Sequence, residues 1–186
     1  MKATDELSKE HKTILNGLEI LKCAATAVKH RESGAIADAE MILEFFKTFV
    51  DRCHHVKEET ALFPKLVSAG MPLSEGPLAV MLEEHDRGRT LLRNMEQSLL
   101  DAHFENFDLY VHCYCDLLRK HIDKEDNVLF GLAEGYLLVD DDRQIVTRFR
   151  DIERLVGEYS HERFHRMFRR LGSKYQVGNV LATPTE

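Results

Sequence analysis

The chain has no tryptophan and only four prolines in 186 residues, and no stretch of it alternates strictly between apolar and polar residues. Without alternation nothing reads as a half-buried strand, and with so few prolines most of the chain is free to be helical. No apolar run approaches the roughly 20 residues needed to span a bilayer. The first residues, Met1-Lys2-Ala3-Thr4-Asp5-Glu6, turn polar at once and lack the apolar segment of a signal peptide. A cytoplasmic protein is expected. A basic surplus is also missing: 25 Lys and Arg face 32 Asp and Glu, for a formal charge of −7. That balance disfavours nucleic-acid backbones and anionic membranes as partners, since both are bound through excess Lys and Arg, and neither is expected. The basic cluster from Arg163 to Arg170 reads as a solvated helix face. Four cysteines (Cys23, Cys53, Cys113, Cys115) show no zinc-ligand spacing and are expected to be buried and reduced, with Cys113 and Cys115 on different faces of one helix.

What is present is helical periodicity. Hydrophobic residues at 44% and charged residues at 31% describe a soluble globular chain with a substantial core, and no break in composition marks a second domain. A first helix starts near Thr4 or Asp5, with Leu7, His11, Ile14, Leu18, Leu21 and Ala25 on one face, and ends near Arg31 to Gly34. The second, from about Ala35 to Asp38, carries Ile42, Phe45, Phe46, Phe49, Cys53 and Val56 until Pro64 kinks or closes it. A loop with two glycines and two prolines, Val67 to Pro77, leads to a third helix near Leu78 to Leu100. The fourth spans about Phe104 to Glu134 and uses Phe107, Tyr110, Tyr114, Leu117, His121, Val128 and Leu132. Short connections between long helices make antiparallel neighbours. The expected fold is therefore all-α, an up-down-up-down four-helix bundle. An additional C-terminal helix, about Arg143 to Tyr175, follows an Asp140-Asp141-Asp142 turn and packs across the bundle. Residues 1–176 form the domain and 177–186 a flexible tail.

Two strings stand out against this background. His54-His55-Val56-Lys57-Glu58-Glu59-Thr60-Ala61-Leu62-Phe63-Pro64 and His121-Ile122-Asp123-Lys124-Glu125-Asp126-Asn127-Val128-Leu129-Phe130 each hold a His followed four residues later by a Glu. On a helix that spacing stacks an imidazole above a carboxylate on one face, so both reach a common point. Stepping about 100° per residue turns His121 and Glu125 into the interior, together with His85 on the third helix and His11 on the first. The second helix offers two overlapping pairs. Relative to Phe45, Phe49, Cys53 and Phe63, His55 and Glu59 lie nearer the apolar arc, while His54 and Glu58 turn toward solvent. On that phase His54→Ala retains metal and His55→Ala loses it.

The candidate ligands are thus His11, His55, Glu59, His85, His121 and Glu125. A lone His on an apolar face is usually a hydrogen-bonded core residue, but two buried carboxylates among four imidazoles need a shared positive charge. Imidazole and carboxylate without thiolate suit iron, manganese or zinc. Six donors exceed one tetrahedral zinc and suit two ions with bridging carboxylates.

The order His, His-x-x-x-Glu, His, His-x-x-x-Glu over four helices, with the two strings above and Met81-Leu82-Glu83-Glu84-His85-Asp86-Arg87-Gly88-Arg89, resembles the bacterial members of the hemerythrin-like, or HHE cation-binding, family. The resemblance covers most of Met1 to Glu134 and implies the same six ligands around two iron ions joined by an oxo or hydroxo bridge. It also implies binding of oxygen, peroxide or nitric oxide as the small-molecule partner. Two departures bear on function. Oxygen-carrying members have a second His one turn after the third-helix ligand, where this chain has Arg89, and their fourth helix uses His-x-x-x-x-Asp. Arg89 needs a partner, which a ligand carboxylate or a bound anion supplies; His161, four residues before His165, is a candidate for the missing imidazole. The leading expectation is an oxygen-binding sensor, store or carrier. The alternatives are an enzyme acting on peroxide or nitric oxide and an iron-responsive regulatory module.

Overall fold

The computed structural model describes residues 2–156 and 158–177, the side chains at 2 and 158–162 excepted. The side chain of His161 and the expected tail beyond Val177 therefore lie outside the described residues. Helix α1 (Lys2–Lys29) is followed by α2 (Ala35–Phe45), which runs on without a break through two π-helical stretches, Phe46–His55 and Glu58–Leu62, into α3 (Phe63–Ser68). After the expected loop come α4 (Pro77–Leu100) and α5 (Phe104–Lys124), the latter continuing through a third π stretch, Glu125–Leu129, into α6 (Phe130–Tyr136). Pro64 thus falls inside a continuous helix: the widened turn of Glu58–Leu62 directly precedes it, where the ring and missing N–H of a proline break an ordinary α-helix.

Helix α1 packs on α2 and α5, and α4 packs on α5 and on the α2 side, which closes the antiparallel four-helix square. In place of one further C-terminal helix there are two, α7 (Val139–Val156) and α8 (Glu158–Tyr175), on either side of Gly157. The Asp140-Asp141-Asp142 run is not a turn but the first turn of α7, where negative charge suits the helix N-terminus. Asp141 accepts the Leu138 N–H, and that bond, with Lys65 beside it, lowers its pKa. Both helices lie along the α1–α2 side. Asp142 Oδ1 accepts the Ala3 N–H at 3.1 Å at one end, and at the other Asp38 takes Arg170 at 2.8 Å, Lys174 at 2.5 Å and Tyr175 at 3.0 Å.

Two apolar layers result. One holds Phe45, Phe46, Phe49, Tyr114 and Leu118 with Phe164 and Phe168 of α8. Here α1 comes so close that a Cβ on Gly17 would stand 2.8 Å from the Phe45 ring. The other layer holds Leu7, Phe63, Leu66, Met81, Leu129 and Phe130 with Ile145 and Phe149 of α7. Val128 and Leu132, expected inside, are 50% and 44% exposed, and Leu129, Phe130 and Ala133 are buried in their place. The third π stretch explains the exchange, because i→i+5 bonding inserts one residue per turn and rotates everything after it. Cys113 is exposed and Cys23 half-buried, against expectation, while Cys53 and Cys115 are buried; all four are free thiols.

Candidate metal centre

Between the two apolar layers sit seven buried polar side chains: His11, His54, His55, Glu58, His85, His121 and Glu125, each at most 3% exposed. They form two groups, His11, His54, Glu58 and Glu125 on one side and His55, Glu58, His85 and His121 on the other, whose donor atoms lie within 4.8 Å of one another. Helix α1 supplies His11, α4 His85 and α5 His121; His54, His55, Glu58 and Glu125 all come from π stretches. The orientation expected for the second helix is therefore corrected. His54 and Glu58 face the interior, and Glu59 stands at its edge with its side chain 23% exposed. A wheel at 100° per residue assumes an unbroken α-helix, whereas the π stretch from Phe46 brings two successive histidines to the interior. Five of the six candidates, His11, His55, His85, His121 and Glu125, lie in the two groups, and Glu59 does not.

The imidazoles share one orientation. His11 Nε2 and His54 Nε2 are 3.1 Å apart, and His85 Nε2 and His121 Nε2 are 3.2 Å apart. Their Nδ1 atoms point outward to carboxylates: His11 to Asp126 at 2.9 Å, His54 to Glu10 at 2.8 Å, His85 to Glu59 at 2.7 Å and His121 to Glu84 at 3.1 Å. The fifth ring, His55, stacks on His85 with centroids 3.9 Å apart and has Asp51 at 3.7 Å, beyond hydrogen-bond length. An ionised carboxylate only accepts, so each hydrogen-bonded Nδ1 carries the proton and leaves the inward Nε2 with a lone pair. Two such nitrogens facing each other at about 3 Å call for a shared proton or a metal cation between them.

Glu58 spans the two groups, with Oε1 3.3 Å from His54 Nε2 and Oε2 3.4 Å from His85 Nε2. Glu125 Oε2 lies 3.2 Å from His11 Nε2 and 3.3 Å from His121 Nε2. None of the four oxygens of Glu58 and Glu125 has a hydrogen-bond partner, although all are buried. A bond of about 2.1 Å from nitrogen or oxygen to a metal sets neighbouring donors about 3 Å apart. The spacings of 3.1 to 3.4 Å here fit that requirement, and buried carboxylate oxygens without a hydrogen-bond donor suit a metal cation.

In the chain itself protons meet part of that need. Burial raises the Glu58 carboxyl well above its usual range, and the neighbouring Glu125 adds to it. Burial also works against the charge on Glu125, but His121 and His11 outweigh it and hold that carboxylate at about 2. His11 is pushed up to about 10, since Asp126 and Glu125 overcome its burial. Burial lowers His54 and His55 well below the ordinary imidazole value.

The sequence does not single out the outer carboxylates Glu10, Asp51, Glu84 and Asp126; of the groups that hold them it marks only Arg89, as needing a carboxylate or a bound anion. Arg89 donates to Asp51 at 2.6 Å and to Glu59 at 2.7 Å, so its partner is the carboxylate once expected to be a ligand. Lys124 donates to Glu84, Ser8 donates to Asp126 at 2.7 Å, and Lys57 donates to Glu10 at 2.5 Å. Only the adjacency of these residues to the ligands in sequence hinted at them. His165 is exposed on α8.

No helix among the described residues is long and apolar enough to cross a membrane. No curated protein matches the chain. The family model described as the hemerythrin HHE cation binding domain matches residues 2–133, which contain every residue of both donor groups. The chain belongs to the hemerythrin HHE cation-binding family and is built around a buried His and Glu cluster suited to metal cations.

Proposed function

We propose that this is a non-haem diiron protein of the cytoplasm that binds oxygen or a related small molecule, in sensing, storage or carriage. The observation that carries the reading is the pair of unpartnered, fully buried carboxylates, Glu58 and Glu125, each facing imidazoles of both groups. A single ion would leave one group of lone pairs unneutralised. The proposed ligands are His11 and His54 for one ion, His55, His85 and His121 for the other, and Glu58 and Glu125 for both.

The fifth imidazole that is missing at Arg89 is supplied by the second member of the His54-His55 pair. A set of five imidazoles and two carboxylates is rich in neutral donors, which favours reversible binding of a small molecule over strongly oxidising chemistry. When bound, the irons supply the redox-active centre at which oxygen or its relatives are held. The chain's own part is to fix four rings through outward Nδ1–H bonds, to stack the fifth, His55, on His85, and to exclude water with Phe63 and Phe130, which lie against His85 and His11. The position between His11 and His54 would have fewer protein donors than the other and would leave room for a small molecule.

Metal analysis of protein from iron-replete cells, with optical spectra in the oxidised and reduced states, tests this. Two irons per chain and a near-ultraviolet ferric band that returns when the reduced protein meets oxygen are expected. One ion per chain, or zinc alone after iron-replete growth, overturns it.

A further inference from the structure

Lys57 is a lysine with 0% exposure, one residue before Glu58. Its ammonium lies 2.5 Å from Glu10 Oε1 and 2.6 Å from Glu153 Oε1, and 5.4 Å from the centre of the Phe149 ring. Glu10 is shared, because its second oxygen accepts the Nδ1–H of His54 at 2.8 Å. Phe149 and Glu153 belong to α7, which packs against α1 and against both π stretches that carry His54, His55 and Glu58. A continuous chain of charge-assisted contacts therefore runs from α7 to one imidazole: Glu153, Lys57, Glu10, His54.

The opposite group is held differently. Arg89 on α4 backs Glu59 and Asp51, and Lys124 on α5 backs Glu84, so its supports come from the bundle itself. Helix α7 lies beyond residues 2–133, the part of the chain that the family model matches.

We infer that Lys57 is a positioning residue that couples α7 to one metal position, the one between His11 and His54, and leaves the His55, His85 and His121 position to the bundle. Without its ammonium, Glu10 loses a charge-assisted contact that holds it against His54, and α7 loses one of its polar contacts with the second helix, beside those that Lys65 makes to Asp141 and Gln144. A carboxylate behind a metal-bound imidazole sets ring orientation and basicity, and losing such support weakens metal affinity about 10- to 100-fold. Conversely, an ion that holds His54 tightens the same contacts and the docking of α7.

The inference rests on the dinuclear reading, and one set of measurements separates the two. Iron-loaded wild-type chain is mixed with a chelator and release is followed per chain, beside Lys57→Met, Lys57→Arg, Lys124→Met and the double variant Lys57→Met with Lys124→Met. In Lys57→Met one ion leaves about 10- to 100-fold faster while the second leaves at the wild-type rate, and Lys57→Arg restores the slow release. Lys124→Met accelerates the other ion, so the double variant releases both quickly. Equal acceleration of both ions by Lys57→Met, or of neither, overturns the coupling. In the unaltered chain, amide exchange across 139–156 slows several-fold on metal loading; equal exchange in the loaded and metal-free chains overturns it whether or not the variants fold. Fewer than two ions in the wild type overturns the dinuclear reading first, and the inference with it.

Discussion

Arg89 donates from Nη2 to Glu59 Oε1 at 2.7 Å, and the same oxygen accepts the Nδ1–H of His85 at 2.7 Å. Glu59 thus stands behind an imidazole, outside the donor groups, while its neighbour Glu58 belongs to both. Replacing the two residues separates these roles. Glu58→Ala removes a donor from both groups and is expected to leave less than one ion per chain. Glu59→Ala keeps two, at an affinity reduced about 10- to 100-fold, as for other supports behind a metal-bound His. Metal content after gel filtration through chelator reads the difference.

His54 and His112 make a second contrast. His54 is 1% exposed and 3.1 Å from His11 Nε2, while the His112 side chain is 57% exposed on the outside of α5. His54→Ala is expected to lose the ion between His11 and His54, and His112→Ala to keep full metal content and melting temperature. Retention of both ions by His54→Ala would restore the orientation expected from the simple helical wheel.

Metal also governs stability, with a definite pH sign. Folding raises the Glu58 carboxyl through burial and Glu125, and raises His11 to about 10 through Asp126 and Glu125 against burial. A raised folded-state pKa gives stability that is full below the unfolded value and lost as pH climbs through the folded one. The metal-free chain therefore weakens between the ordinary imidazole value of 6.5 and about 10. Ions displace those same protons, so metal affinity rises over this range and binding releases protons. Free ion at a thousand times its Kd stabilises by about 4 kcal/mol. For a chain of this size that is roughly 10 °C in melting temperature. Melting with and without chelator should show a gap that widens from pH 7 to pH 9; a constant gap argues against these two groups.

Asp38 fastens the far end of α8, where it is 5% exposed and receives Arg170, Lys174 and Tyr175. Hydrogen bonds to a charged group contribute about 1.5 to 3 kcal/mol, less where the donors reach solvent, as Arg170 does at 57% exposure. Asp38→Asn is expected to lower unfolding free energy by about 1 to 2 kcal/mol in urea. Metal content stays unchanged, because Asp38 stands at the other end of the second helix from the ligands.

The helices, their order and most of the core were legible because Leu7, His11, Ile14, Leu18 and Leu21, or Leu92, Met95 and Leu99, repeat at three and four residues. His11, His85 and His121 could be placed inward for the same reason. The errors in the facing of the second helix's ligands and the fourth helix's core fall where the period changes. His54 and Glu58 in the second helix, and Val128 and Leu132 in the fourth, were each assigned one face away from where they lie, and in both cases a π stretch intervenes. Nothing in residue type marks i→i+5 bonding; it is selected by what the widened turn lets the side chains reach. The carboxylates behind the imidazoles were illegible for another reason. Asp126 reaches His11, Glu10 reaches His54, Glu59 reaches His85 and Glu84 reaches His121, each from a different helix, and only the packed bundle sets these pairings.

The π stretch at Phe46–His55 has a consequence for chain length. One residue in that segment is surplus to an α-helix, so removing Thr48 would let the hydrogen bonds close in ordinary α register while turning all that follows by about 100°. The helix would be tidier and the centre would be gone, with one of two adjacent histidines swung out of the interior. In the connection Met71 to Gly76 the loss of a residue such as Ser74 should leave metal binding intact, since its exposed backbone can take up the slack. Within this fold, a single-residue deletion is far more damaging in the middle of a long helix than in the longest loop.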